Sequence, residues 1–407
     1  MYIRARSPFP ICRGSEMTET MARTERPATT QAIVELVSQA RATGRRLEVV
    51  GGGTKRAIGA TPATDTVISL AAMDAVLDYA PEELVLTVQP GARLADLEVL
   101  VAAQGQMLPF EPPHLTGLLA AAGLPTLGGA LAANLSGPRR IRAGAARDHF
   151  LGFEAVTGRG ERVRGGGKVV KNVTGYDLSK LMAGSWGTLA VLTEVTIKVL
   201  PAARIERTLL IFGLGDAQAN EVMTLAMGSN ADISGAAHLP RSIAVRSAVG
   251  AGKAVTALRI DGFAASVAAR VQNLTATLAD FGLFESLEGD DSRRFWRQVR
   301  EVEAFSGTVA PLWRISAPPA QGWRIGAALG VEPLYDWAGG LVWLPSDQPA
   351  AVRAAAKALG GHATLYRGDL GVAPFEPLDG ALAALTGRVK AAFDPDGVLN
   401  PGRMGGS

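Results

Sequence analysis

The chain has 407 residues, enough for two or three domains at roughly 150 residues each. Hydrophobic residues make up 47% and charged residues 19%, which supplies real apolar cores and excludes a disordered chain. Lys plus Arg is 41 against 38 for Asp plus Glu, and a formal charge of +3 gives no broad electrostatic case for nucleic acid.

Residues 1–28 carry five arginines and no apolar run, so they predict a disordered N-terminal extension and no secretory signal. Thr29 or Thr30 caps a predicted helix with Ile33, Leu36, Val37 and Ala40 on one face, ended by Gly44. Leu47 to Val50 reads as a strand running into Gly51-Gly52-Gly53-Thr54. A second strand, Leu84 to Gln89, stops at Pro90-Gly91, and a helix follows from Arg93 to about Ala103. From Pro112 to Pro138 no residue is formally charged, a length that could span a bilayer. Gly117, Gly123, Gly128, Gly129, Pro125, Asn134 and Ser136 break it, so it reads as a buried glycine-rich turn system with no membrane span. Phe153 to Thr157 is strand-like. Thr193 to Leu200 alternates with Val195, Ile197 and Val199 on one face, and Pro201 closes this unit.

Residues 206–390 mix strand-like runs, Thr208–Phe212 and Gly340–Leu344, with Ala-rich helices near 263–281 and 350–358. Five of the six tryptophans lie there. The pattern predicts an α+β fold: an extension over 1–28, a first domain over 29–205, a second α+β domain over 206–390, and a returning C-terminal segment over 391–407.

Glycine is the compositional outlier, with 48 residues. Gly51-Gly52-Gly53-Thr54-Lys55 after a strand can form a backbone nest for an oxyanion, although such a run can also be a simple turn. The P-loop pattern fails because Arg56 follows Lys55, and G-x-G-x-x-G fails because position 56 is not glycine. A second cluster joins Thr126-Leu127-Gly128-Gly129, Asn134, Ser136-Gly137 and the arginines 139, 140 and 142. Its small residues and hydrogen-bonding side chains suit a flat polar ring with a pyrophosphate against backbone; a charged surface face is the alternative reading of the arginines. Cys12 is the only cysteine, which excludes an internal disulfide and a cysteine-ligated cluster and fits a reduced cytoplasmic compartment. The four histidines have no i, i+4 pair, so no metal site is expected.

The segments Val49–Lys55, Val88–Ala92, Thr126–Gly137, Gly144–Gly152 and Gly184–Glu194 resemble, in order and spacing, the fingerprints of the vanillyl-alcohol-oxidase or PCMH-type FAD-binding family. Glu111-Pro-Pro-His114, Ser136-Gly-Pro-Arg-Arg140, the run Lys168 to Asp177 and the terminal run Phe393 to Met404 are similar to the E subunits of bacterial glycolate oxidases. That resemblance covers residues 30–404. It implies a PCMH-type FAD-binding domain of two α/β subdomains, carrying a second α+β cap domain.

The resemblance implies that Gly51, Gly52, Gly53, Thr54 and Lys55 wrap the FAD pyrophosphate through main-chain N–H groups, with Pro90 and Gly91 in the same fingerprint set. Thr126, Gly128 and Gly129 would pass beside the flavin, with Asn134, Ser136 and Gly137 hydrogen-bonding nearby. Gly187, Thr188, Ala190 and Val191 would run along the dinucleotide, and Asn400 would bring the C-terminal tail to the ring or serve as a turn residue. Arg139 and Arg147 would pair with phosphate or with Asp148 and Glu154, Arg147 being expected as structural. Gly52→Asp is expected to abolish FAD binding by placing a side chain where the pyrophosphate lies.

One departure concerns the chemistry. Members of the family that oxidise 2-hydroxy acids carry an H-x-G-D-G-N-type motif, which is absent; His238 precedes Leu239-Pro240 and His362 stands alone after Gly360-Gly361. No catalytic residue is assigned, and Arg314, a weak candidate for gripping a carboxylate, is expected in the packing around Trp313. Covalent attachment through His114 is not expected, so FAD would be held noncovalently. The implied function is the FAD-binding subunit of a glycolate oxidase (glycolate dehydrogenase) complex, which oxidises glycolate to glyoxylate with a catalytic flavoprotein homologue. An iron–sulfur subunit would carry the electrons toward quinone, placing the chain in the cytoplasm, peripheral to the inner membrane. The alternatives are a self-sufficient FAD-dependent 2-hydroxy-acid or alcohol dehydrogenase, and a non-catalytic assembly scaffold.

Overall fold

A computed structural model describes residues 23–167, 176–250 and 252–405. The lysine-containing motif that begins at Lys168 lies, as far as residue 175, outside the described residues.

The chain opens with a three-stranded parallel sheet, in which Thr66–Ser69 lies between Arg23–Glu25 and Leu47–Val50. Arg23 stands opposite Thr66 and Glu25 opposite Ile68. The extension expected to be disordered through residue 28 is therefore corrected: from Arg23 onward the backbone is satisfied by a strand ladder. Helix Thr30–Thr43 is capped by Thr29, whose side chain accepts the Ala32 N–H at 3.2 Å, and it ends at Gly44 with φ 65°. Its Ile33, Val37 and Ala40 pack between Leu47 and Ile68 of this sheet and Val156 and Val191 of the next.

That next sheet is five-stranded and antiparallel, in the order Val76–Ala80, Val85–Val88, Ala190–Lys198, Phe150–Thr157, Arg162–Gly166. Leu86, Val88, Val195 and Ile197 meet Leu94, Leu97 and Val101 of helix Leu94–Ala102, together with Leu127 and Leu131 of helix Leu127–Ala132. The uncharged stretch 112–138 is a succession of turns around that six-residue helix. Among the described residues no helix is long and apolar enough to cross a membrane.

Leu200–Pro201 pairs with Gln106–Met107 and closes the first lobe; Ile205–Phe212 then enters the second. The second lobe is built on an eight-stranded antiparallel sheet, in the order Phe284–Glu288, Ile205–Phe212, Val255–Gly262, Ile233–Leu239, Leu334–Asp336, Leu341–Pro345, Leu312–Ser316, His362–Arg367. One face is covered by helices Asp216–Gly228, Ala264–Thr277 and Pro349–Ala358. The other face, with Trp296, Trp337, Trp343 and Tyr366, joins Leu115, Leu118 and Leu135 of the first lobe in one core.

Helix Gly380–Phe393 returns to the first lobe, where Val389 and Phe393 pack on its core. This shifts the boundary expected at residue 390, because the second sheet already ends at Arg367 and the helix's apolar contacts belong to the first lobe. Leu399 then bridges Leu47 in parallel, so the tail extends the first sheet.

Candidate cofactor cleft

The strand Leu47–Val50 delivers its glycine run to the wall of a cleft of about 830 Å³ between the two sheets of the first lobe. The main-chain N–H groups of Gly52, Gly53, Thr54 and Lys55 donate to no described residue. Consecutive free N–H groups form an anion nest. Lys55 lies in it, buried, its ammonium donating to Thr54 Oγ1 at 3.1 Å and to no carboxylate among the described residues. Burial pushes this ammonium down to about 8, against the field of Glu301. The neighbouring Arg56 is already neutralised, its Nε 2.9 Å from Glu48 Oε1.

Glycine is required here for packing of loop on loop. A Cβ on Gly52 would overlap the Leu124 carbonyl, and one on Gly123 would overlap the Gly52 carbonyl. A side chain at Gly52 is thus aimed at the neighbouring turn, which corrects the expectation that it would fill the phosphate space directly. The facing wall is helix Leu127–Ala132, capped by Thr126, whose Oγ1 accepts the Gly129 N–H at 3.3 Å. Gly128 sits so close to Pro90 that a Cβ would meet the Pro90 ring at 2.5 Å.

The C-terminal tail closes one end. Asn400 Oδ1 accepts the Val49 N–H at 2.8 Å and Asn400 Nδ2 donates to the Trp186 carbonyl at 2.7 Å, so its amide ties the glycine strand to the opposite wall. Arg403 Nη2 donates to the Lys55 carbonyl at 2.7 Å, and its guanidinium carbon lies 5.8 Å from the centre of the Trp186 ring. Burial lowers the Arg403 pKa. Lys55 and Arg403 thus give the cleft two cations with no carboxylate at salt-bridge distance among the described residues.

Of the residues read from the sequence, Gly51, Gly52, Gly53, Thr54, Lys55, Pro90, Thr126, Gly128, Gly129, Gly187 and Asn400 line the cleft, as does Ala190. The others stand behind its wall. Gly91 donates its N–H to Met73 O at 2.7 Å; Asn134 Oδ1 accepts from Arg147 N at 3.1 Å; Ser136 Oγ accepts from Ala146 N at 2.9 Å. Gly137 accepts the Trp337 Nε1–H at the contact between lobes, Thr188 Oγ1 donates to Ser185 O, and Val191 is fully buried in the core around Ile33. Glu48, Arg56, Ala132, Ala133, Trp186 and Arg403 line the cleft without having been singled out. Trp186 and Arg403 both lie inside runs that carry the resemblance, Gly184–Glu194 and Phe393 to Met404, but the part each side chain plays does not follow from its neighbours.

Arg139 contacts neither phosphate nest nor Asp148. Its Nε lies 3.2 Å from Glu111 Oε1, and its guanidinium also reaches Glu206 and Asp261. Arg259 grips the same Glu111 with two hydrogen bonds of 2.9 Å. Burial would raise the Glu111 carboxyl, but Arg259 and Arg139 overcome it and hold the group at about 2. This network joins the two lobes. Arg147 lies 3.8 Å from Asp148, at the surface. Arg314 lies in tryptophan-rich packing, with its guanidinium over Trp337 and with Trp343 as its strand partner, but on the opposite face of its strand from Trp313. No histidine lines the cleft; His238 is buried in the second lobe, with Nδ1 2.9 Å from Thr256 Oγ1. Among the described residues no group of three or more His, Cys, Asp or Glu side chains could hold a metal ion.

Residues 22–166 match the FAD binding domain family. The chain superposes on p-cresol methylhydroxylase with a TM-score of 0.70, covering 94% of this chain and 88% of that one at 16% identity, a likeness of fold. Fold and domain match define a PCMH-type FAD-binding fold. Within that class, the chain is 36% identical over 379 residues to the glycolate oxidase subunit GlcE of Escherichia coli (strain K12), covering 92% of this chain and 97% of that protein. It is also 35% identical over 161 residues to the glycolate oxidase subunit GlcD of Bacillus subtilis (strain 168), but this covers 39% of the chain and 33% of GlcD. The chain belongs to the GlcE family of glycolate oxidase subunits.

Proposed function

We propose that this chain is the FAD-holding E subunit of a glycolate oxidase assembly and that FAD sits noncovalently in the first-lobe cleft. The observation that carries the cofactor assignment is the row of free N–H groups from Gly52 to Lys55 beside the buried Lys55 ammonium. A pyrophosphate supplies the acceptors and the negative charge that this nest lacks. Gly51, Thr126, Gly128, Gly129, Gly187 and Asn400 complete the walls that would hold the dinucleotide. When bound, FAD would supply two-electron redox chemistry that no side chain of the cleft provides. The protein's part is to bind the phosphates, orient the ring and exclude water.

Near full-length similarity to GlcE and partial similarity to GlcD support a place in a multi-subunit complex that oxidises glycolate to glyoxylate. In this reading a GlcD-like flavoprotein supplies the catalytic base and an iron–sulfur subunit carries electrons toward quinone at the inner membrane. Oxidation of a hydroxy acid needs a base within hydrogen-bond reach of the hydroxyl proton. The lack of a histidine in the cleft wall favours the partner as its source. The test compares the isolated chain with the chain co-expressed with its GlcD-like and iron–sulfur partners, under anaerobic glycolate. Flavin bleaching only in the assembly supports the reading. Full bleaching of the isolated chain would identify a self-sufficient dehydrogenase instead.

A further inference from the structure

Helix Gly380–Phe393 is only half seated. Val389 and Phe393 pack on the core of the first lobe, and the same apolar stripe continues through Leu385 and Leu382, with Leu378 just ahead of the helix. Along that continuation no described residue covers it: residues 377–388 are all exposed, so the first nine residues of the helix meet solvent around the whole circumference. They carry no charge before Arg388, and Gly380 and Gly387 weaken the helix further. A short apolar helix of this kind is marginal by itself and is stable when enclosed.

Both ends of this segment are fixed at the cofactor cleft. Ahead of the helix the Phe375 ring meets Trp186 edge-on, with centroids 5.4 Å apart, and Trp186 lines the cleft. At the far end Lys390 Nζ donates to the Thr188 carbonyl at 2.6 Å and to the Leu399 carbonyl at 3.1 Å, next to the cleft-lining Gly187 and Asn400. Asp379 caps the helix by accepting the Leu382 N–H at 2.9 Å. The free half is therefore an arm held at the end of the cleft. Its rim is cationic. Arg388 has no hydrogen bond or ion pair among the described residues. Arg159, which donates to the Ala392 carbonyl at 3.1 Å, has no carboxylate at salt-bridge distance among them.

We propose that this arm, from Leu378 to Arg388, docks the GlcD-like flavoprotein, which receives it in an apolar groove rimmed by carboxylates for Arg388 and Arg159. Uncharged, mostly apolar surface on all sides calls for a groove that covers the helix from more than one direction. A lipid surface fits less well, because a helix lying in a bilayer interface keeps one strongly charged face and this one has none. A second copy also fits less well. The crevice between Leu239, Phe295 and Val299, about 270 Å³, is too small to take the arm, and arm against arm covers a single face of each. Attachment beside Trp186 and Thr188 places the docked subunit at the end of the cofactor cleft. The choice of partner rests on the multi-subunit reading proposed above.

The test uses the full chain, alone and with its GlcD-like partner. L382E and L385E together put two carboxylates on exposed positions of the arm, so the isolated double variant keeps the wild-type melting temperature and flavin content. Its affinity for the GlcD-like subunit falls by about tenfold or more. R388E weakens association several-fold, and that loss shrinks as salt is raised. Amide exchange over residues 382–388 is fast in the isolated chain and slows about tenfold or more in the complex. Equal affinity in the double variant, or unchanged exchange on assembly, would overturn the docking arm. So would a wild-type homodimer, or binding to anionic vesicles, that the double variant abolishes. A wild-type chain that never associates with the GlcD-like subunit refutes the multi-subunit reading as well, whereas association that survives the double variant refutes the arm alone.

Discussion

Lys55→Met tests the anion nest through two opposite effects. In the flavin-free cleft the ammonium is buried with only Thr54 Oγ1 as a hydrogen-bond partner, and its pKa falls from 10.5 to about 8. That drop corresponds to about 3 kcal/mol of folding free energy set against the charged form at pH 7. Methionine has similar length and no charge, so the flavin-free variant is expected to be more stable at pH 7 by up to about 3 kcal/mol. The sign reverses for the ligand. Losing a charged hydrogen bond to phosphate weakens FAD by roughly 10- to 100-fold. The pH dependence carries the same signature. Between about 8 and 10.5 the unfolded chain binds a proton at this lysine that the folded chain has lost, so wild-type stability rises with pH across that window. The variant lacks that component. Denaturant midpoints of the flavin-free proteins at pH 7, 9 and 10.5, beside a fluorescence titration with FAD, measure both effects. A variant that is less stable at pH 7 and binds FAD as tightly as wild type would refute the nest.

Three further outcomes follow from the same geometry. Gly52→Ala drives a Cβ into the Leu124 carbonyl, so the two loops must part; lower flavin content and a stability loss of about 1–3 kcal/mol, of the size seen for overpacked cores, are expected by absorbance ratio and thermal melt. Glu111→Gln leaves Arg139 and Arg259 short of their shared carboxylate and is expected to cost about 3–5 kcal/mol near pH 7. Because the folded-state pKa of Glu111 is depressed to about 2, its stabilisation is present above its ordinary value of 4.5 and is lost as pH falls toward 2, so acid unfolding of the variant should lack that component. Asp336 behaves oppositely: burial raises it to about 7, its contribution is full below 3.8 and is lost as pH rises to 7, and Asp336→Asn, which keeps the acceptor for the Trp337 N–H, should be more stable than wild type at pH 8 by about 2 kcal/mol.

What was legible in the sequence was local. The Thr29 cap, the strand that ends in three glycines and the helix that starts after Thr126 each follow from neighbours a few residues apart. The cleft's remaining walls do not. Arg403 reaches the Lys55 carbonyl across 348 positions and Asn400 the Val49 N–H across 351; the resemblance implies the return of the tail at Asn400, but no local pattern encodes either partner. Arg139 is expected from the sequence to pair with phosphate or with Asp148 and Glu154 further along the same stretch, whereas its partners Glu111, Glu206 and Asp261 stand 28, 67 and 122 positions distant. Arg314 shows the reverse case. Alternation along Leu312–Ser316 already separates it from Trp313, so their placement on opposite faces could have been read from strand period alone. The glycine count was informative, but the roles differ in kind. Gly52 serves loop-to-loop packing, and Gly91 and Gly137 support the cleft from behind.

The central claim is that this chain, by itself, holds FAD without a covalent bond. Acid precipitation of the purified isolated chain, with the released flavin counted and identified by mass, tests it most directly. The account predicts close to one FAD per chain in the supernatant and none in the pellet. A purified, folded chain that carries no flavin and takes up none on incubation with FAD, or flavin that stays with the precipitated protein, would contradict it.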